Sequence, residues 1–194
     1  MLKVKSIVNS IFDSLTWLLS EAESNQVCLI DCGDVEPIIK WLDNRTIASV
    51  LLTHAHFDHI YGLPQLLLRF PECKIYTNES GKDALANAKL NMSFYHESPV
   101  TVSPQHVNLL GDGDEIALFN GISAKVYATP GHHPSCLTFL IGDYLFTGDA
   151  YIPGVKVVTN LPKGNKTQAE ESLKRIMALG EVKKICCGHD SKQI

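Results

Sequence analysis

Between Ile47 and Leu52 the chain is almost entirely β-branched and aliphatic, and directly after Thr53 it reads His54-Ala55-His56-Phe57-Asp58-His59. That juxtaposition constrains the fold more than any other feature. The apolar run has the length and make-up of a buried strand, so three imidazoles and a carboxylate are delivered at a strand exit, held by a rigid scaffold yet facing solvent. Those residue types, concentrated in six positions, read as a metal site. If the chain stays extended from Thr53 to His56, side chains two apart share a face, and His54 and His56 can bind one ion. Asp58 and His59 lie past that reach. They turn toward a second ion if a helix begins there, as the spacing of Ile60, Leu63, Leu66, Leu67 and Phe70 predicts.

Four side chains cannot close two coordination spheres, so further ligands are expected beyond other apolar runs. Three positions fit. Val126-Tyr127-Ala128 leads through Thr129-Pro130-Gly131 to His132, Tyr144-Leu145-Phe146 leads through Thr147-Gly148 to Asp149, and Ile185-Cys186-Cys187 leads through Gly188 to His189. A glycine stands immediately before each ligand, which suits a tight turn passing close to the site. His96 and His106 have no such setting and are expected to be surface or satisfied core residues.

With these motifs in order from residue 54 to residue 189, the sequence resembles the metallo-β-lactamase superfamily, whose His-x-His-x-Asp-His signature stands here at residues 54 to 59. The resemblance implies an α/β fold, a four-layer αββα sandwich with the metal site at one edge between the two sheets. It places His54, His56 and His132 on one divalent ion, Asp58, His59 and His189 on a second, and Asp149 between them. Two ions held by five neutral imidazoles and two carboxylates leave net positive charge, which favours a bridging hydroxide as nucleophile at neutral pH. Asp58 is then expected to be catalytic as well as a ligand, orienting that hydroxide or passing a proton onward. Imidazole and carboxylate without thiolate suit Zn²⁺, Fe²⁺ or Mn²⁺, with zinc as the default.

Within the superfamily the wording is most similar to the small glyoxalase II-like group, which implies metal-dependent hydrolysis of a small ester or thioester. The flavodiiron pattern has Glu where His56 stands, and secreted β-lactamases usually lack the Asp58-His59 pair. Full glyoxalase II enzymes carry a C-terminal helical segment that helps bind glutathione, whereas this sequence ends at Ile194, so a thioester with a different handle is expected. The alternatives are a mononuclear iron oxidoreductase resembling persulfide dioxygenase, and a lactonase or phosphodiesterase of the same fold.

Length and composition fit one domain spanning 1–194, since 194 residues with 45% hydrophobic content bury a sizeable core. The net charge of −4, with no basic cluster beyond Lys183-Lys184, argues against nucleic acid and for a small-molecule substrate. Absence of a long apolar block predicts no membrane association and a cytoplasmic location. Cys28, Cys32, Cys73, Cys136, Cys186 and Cys187 show no disulfide spacing and are expected as reduced, mostly core residues. Tyr61, His133, Tyr151 and the segment Lys156 to Lys166, with Lys163 or Lys166 as an anion holder, are candidate substrate contacts. His133 is expected beside the ligands rather than among them.

Strands are predicted at Leu2 to Val8, Leu15 to Leu19, Val27 to Asp31, Ile47 to Thr53, Lys74 to Thr77, Glu115 to Phe119, Ser123 to Ala128, Leu137 to Ile141, Tyr144 to Phe146 and Lys184 to Cys187. Helices are predicted at Val35 to Leu42, Gly62 to Phe70, Lys82 to Ala88 and Thr167 to Leu179, the last opened by a Thr167/Glu170 capping box. Asn91 to Val107 reads as a loop over one face.

Overall fold

Short strands whose two faces are both apolar must be covered on both sides, and that requirement sets the layering here. The structure, a computed structural model, describes residues 1–180 and 183–190. Strands β1 (Leu2–Val8), β2 (Leu15–Glu21), β3 (Gln26–Ile30), β4 (Thr46–Leu51), β5 (Lys74–Thr77) and β6 (Val107–Leu109) form one sheet in that order. Its first three strands are antiparallel and the rest parallel. The second sheet runs β11 (Lys184–Cys187), β10 (Tyr144–Gly148), β9 (Leu137–Ile141), β8 (Ile122–Ala128) and β7 (Glu115–Phe119), antiparallel except where β11 joins β10.

Alternate residues of β2, β3 and β4 serve two different cores, as the period of two requires. Leu18, Leu29 and Val50 pack outward against Val35, Ile38 and Leu42 of helix α1 (Val35–Leu42) and Leu63 and Leu66 of helix α3 (Leu63–Arg69). Their neighbours Leu19, Cys28, Ile30 and Leu51 face the second sheet and meet Val126, Leu137, Phe139 and Phe146. On the far side of that sheet, Leu145 packs with Ile176 of helix α5 (Lys166–Gly180). Each of these side chains, moved fully out of water, contributes about 1.5–3 kcal/mol. The result is the expected αββα sandwich. Its parallel strands bring their C-terminal ends to one edge, and β4 runs from there through Thr53 into the one-turn helix α2 (Phe57–Ile60).

Three local expectations need correcting. Helix α4 is Glu79–Leu85 rather than Lys82 to Ala88, because the Asn78 side chain accepts from the Gly81 amide and starts the helix earlier. Helix α5 begins at Lys166: the cap is Asn165, whose side chain accepts from the Gln168 amide, and not Thr167. The stretch from Asn91 to Val107 is mostly loop as expected, but Val107 opens β6, three residues that become a strand by pairing with Ile75 to Thr77 of β5. Cys28, Cys32, Cys73, Cys136 and Cys186 are buried and unpaired, and Cys187 is half-buried and unpaired. Among the described residues, no helix is long and apolar enough to cross a membrane.

Candidate metal centre

Five elements deliver the seven candidate ligands to one end of the sandwich. His54 and His56 come from the extended exit of β4, Asp58 and His59 from α2, and His132, Asp149 and His189 from the turns after β8, β10 and β11. The glycines expected before the last three are required by close packing. At Gly188 a Cβ would stand 2.1 Å from Asp149 Oδ1, and at Gly131, with φ 137°, it would stand 2.3 Å from the Ala169 amide nitrogen.

The side chains fall into three overlapping ligand groups: His54, His56 and His132; His54, His59 and Asp149; and Asp58, His59 and His189. In the first, His132 Nε2 lies 2.9 Å from His56 Nδ1. In the last, His59 Nε2 and His189 Nε2 are 3.3 Å apart, at 3.2 and 3.3 Å from Asp58 Oδ2. Asp149 Oδ2 lies between the two sets, 3.2 Å from His189 Nε2, 3.6 Å from His132 Nε2 and 4.0 Å from His54 Nε2.

The outer nitrogens decide which way the lone pairs face. His132 Nδ1–H donates to the Val158 carbonyl at 2.9 Å, and His189 Nδ1–H to the Phe12 carbonyl at 2.8 Å. His59 Nδ1–H donates to Asp31 Oδ2 at 2.9 Å. Thr53 Oγ1 gives its own proton to Asp31, so it accepts from His54 Nδ1–H at 3.2 Å. These tautomers are assigned from the hydrogen-bond network. In all four the Nε2 is turned inward, the arrangement by which an outer partner orients a metal-binding imidazole.

Two of the inward atoms are left without a hydrogen bond. His54 Nε2 and Asp149 Oδ1 are buried and make no hydrogen bond, and each unmatched buried polar atom costs about 1–3 kcal/mol. A cation among these nitrogens and carboxylate oxygens removes both penalties, so the donor set fits divalent metal ions.

Electrostatically the cluster has two halves. Burial, reinforced by the neighbouring imidazoles, holds His54 well below the ordinary histidine range and His56 at about 3. Burial also opposes charge on His59, but the carboxylates of Asp58, Asp149 and Asp31 outweigh it and hold His59 well above that range. His189 reaches about 10: burial is overcome by its hydrogen bonds to Asp149 and Asp58. Burial raises Asp58 too, yet His59 and His189 hold its carboxyl well below the usual carboxylate range.

Other candidates take different places. His133 is buried beside the cluster, its ring 4.8 Å from that of His56, with Nδ1 accepting from the Ser135 amide. Burial brings it to about 4, so it is neutral at pH 7. Tyr61 donates its hydroxyl to Asp34 at 2.7 Å, and Lys166 is near Glu170 at 3.9 Å. Tyr151 packs with Cys136 and Leu145, and Lys156 lines the cleft beside His132 and Asp149. Lys163 lines a small cavity with His133. His96 stacks on Phe57 at 4.1 Å, and His106 is half-buried away from the cluster.

Sequence reasoning missed Asp31. It is 1% exposed at the end of β3, with Oδ1 accepting the Thr53 amide at 2.8 Å and Oδ2 accepting Thr53 Oγ1 and His59 Nδ1. The available signal was an acidic residue closing a strand with no solvent-facing alternation. The Phe12 and Val158 carbonyls carried no signal, being backbone atoms.

Comparison with known proteins agrees with this architecture. Residues 12–189 match the family described as the metallo-beta-lactamase superfamily. A hydroxyacylglutathione hydrolase from Xylella fastidiosa (strain 9a5c) is 33% identical over 170 residues, covering 87% of this chain and 57% of its own length. The chain thus spans somewhat over half the length of the curated relatives it matches. Among solved structures, the BLEG-1 B3 metallo-beta-lactamase superposes with a TM-score of 0.87 at 26% identity, covering 97% of this chain and 92% of that one. TTHA1623, solved in a di-iron-bound form, gives 0.81 at 25% identity, covering 96% and 92%. With the match running from the β1–β2 loop to the last candidate ligand, the chain belongs to the metallo-β-lactamase superfamily.

Proposed function

We propose that the protein is a dinuclear metal-dependent hydrolase acting on a small thioester or ester, in the manner of glyoxalase II. The observation that carries this reading is the inward convergence of four tautomer-fixed imidazoles on buried, unmatched His54 Nε2 and Asp149 Oδ1. His54, His56 and His132 hold one divalent ion, Asp58, His59 and His189 the other, and Asp149 stands between them. Zinc is the expected metal, with iron or manganese as the alternatives. When bound, two such ions supply Lewis acidity, lowering the pKa of water and polarising an acyl oxygen.

The chain's own groups do the rest. Asp58 faces the cluster as an ionised carboxylate and orients the attacking water by accepting its hydrogen bond. Ile152, Val155 and Val157 form an apolar wall beside His132 and Asp149 that limits water around the acyl group. Lys156, in the same wall, supplies a positive charge for an anionic handle on the leaving thiol. Hydrolysis of S-lactoylglutathione by the metal-loaded protein, with Asp149→Ala as control, tests the reading. Turnover present in the wild type and lost in the control supports it. No turnover with two metals bound sinks the thioesterase assignment and leaves lactones and phosphodiesters of the same fold.

A second reading, a mononuclear iron oxidoreductase, draws on the self-sufficiency of His54, His56, His132 and Asp149 as one ligand set. One iron per chain with no second metal at saturation would favour it.

A further inference from the structure

The six residues between β1 and β2 reach the metal centre through a backbone atom. Within them Phe12 and Asp13 both hold left-handed backbone, at φ 54° and 51°, a conformation that L residues keep only where the surroundings enforce it. The carbonyl of Phe12 accepts Nδ1–H of His189, and the next carbonyl, of Asp13, accepts the Asp190 amide at 3.1 Å. This turn therefore sets the orientation of one imidazole. What sets the turn is Asn9.

Asn9 is 2% exposed and its side chain is fully engaged. Its Nδ2 donates to Ser14 Oγ and to Thr16 Oγ1, both at 3.1 Å, and its Oδ1 accepts the Asp34 amide at 3.0 Å. Its backbone N–H donates to the Ser14 carbonyl at 2.8 Å and closes the loop. Ser14 Oγ in turn donates to the backbone carbonyl of Asp58 at 2.8 Å. The amide lies flat against Gly33, where a Cβ would come within 2.2 Å of it. One buried carboxamide thus ties the turn to α1 on one side and to the backbone of a candidate ligand on the other.

We propose that Asn9 is a positioning residue for the second metal position alone, acting through the Phe12 carbonyl on His189 and through Ser14 on Asp58. The inference rests on the dinuclear reading above. His54, His56 and His132 receive nothing from this loop: their outer contacts are Thr53, Ser135 by way of Ala55 and His133, and the Val158 carbonyl. Loss of Asn9 therefore weakens one ion and spares the other.

The test is zinc titration by calorimetry of wild type, Asn9→Ala and Ser14→Ala, with nitrogen-15 histidine spectra reporting the protonated nitrogen of His189. In the expected result the wild type binds two ions. Asn9→Ala keeps the first at unchanged affinity, binds the second about 10–100-fold more weakly, and loses the Nδ1–H signature of His189. Ser14→Ala, which keeps the Asn9–Thr16 and Asn9–Asp34 contacts, shows the same selective loss with a smaller factor and decides the matter if Asn9→Ala does not fold. Equal weakening of both ions, or two ions at wild-type affinity, overturns the inference while leaving the dinuclear reading intact. A wild type that binds only one ion removes both.

Discussion

The two halves of the candidate metal centre are built on opposite principles. His54, His56 and His132 are nitrogen donors sunk in the sandwich, none more than 5% exposed, and burial together with the neighbouring imidazoles holds His54 and His56 below the ordinary histidine range. Asp58, His59 and His189 form a charged group in which carboxylates hold protons on the imidazoles against burial. A cation meets no proton on His54 or His56, whereas it must displace protons from His59 and His189. On the dinuclear reading, one shared edge of the fold carries two positions of unlike proton chemistry, with Asp149 between them.

Asp149 is the point at which the comparison breaks, since its carboxylate faces both halves. Asp149→Ala should lower affinity for both ions by more than the roughly 10–100-fold that loss of an outer partner costs, as measured by metal content after equilibrium dialysis. Two ions retained at wild-type affinity would show that the halves are independent.

Asp31→Asn sharpens the contrast. His59 loses its carboxylate partner directly, while His54 feels the change only through Thr53, so the second ion should weaken by about 10–100-fold and the first by less. Competition with a chromophoric chelator reads both constants, and a larger loss at the first ion would contradict the assignment of Asp31.

Proton exchange separates the halves by slope. With His189 held at about 10, the metal-free second half is protonated at pH 7, so its occupation releases protons and its affinity should rise about tenfold per pH unit per proton displaced between pH 6 and 9. In the first half His54, held well below the ordinary histidine range, and His56, at about 3, have no proton to release there, so affinity at that position should rise less steeply. Calorimetry in buffers of different ionisation enthalpy counts the protons, and equal release at both steps would refute the distinction.

The smallest effect belongs to Thr53→Val, which removes the acceptor of His54 Nδ1–H and one donor to Asp31. A loss of about 0.5–1.5 kcal/mol, some two- to tenfold in affinity, is expected mainly at the first ion. The same titration checks it.

Much of this was open to reading from residue order, and the reason is geometric. The seven side chains each follow an apolar run, and a run of that kind ends at a sheet edge, so strand ends and chemistry coincide in the chain. The layering followed from the family resemblance together with strands apolar on both faces. Asp31 escaped because it looks like the last residue of its strand, and its partners Thr53 and His59 are remote in sequence. Asn9 escaped for the same reason: a lone amide before a turn gives no hint of which backbone it will hold. β6 is too short to show a period, and both helix starts depended on asparagine side chains finding an amide three residues on.

The turns after β8, β10 and β11 have a further consequence, for assembly. His59 and His189 stand 130 residues apart in the chain yet face each other across 3.3 Å. Loop closure over such a span is slow and its entropic cost must be met before any contact is gained. The complete centre is therefore expected to form after the two sheets have docked, since only His54, His56, Asp58 and His59 are local in the chain. Zinc added during refolding should leave the folding rate unchanged and slow unfolding instead, making the metal a lock on the finished molecule rather than a guide to it.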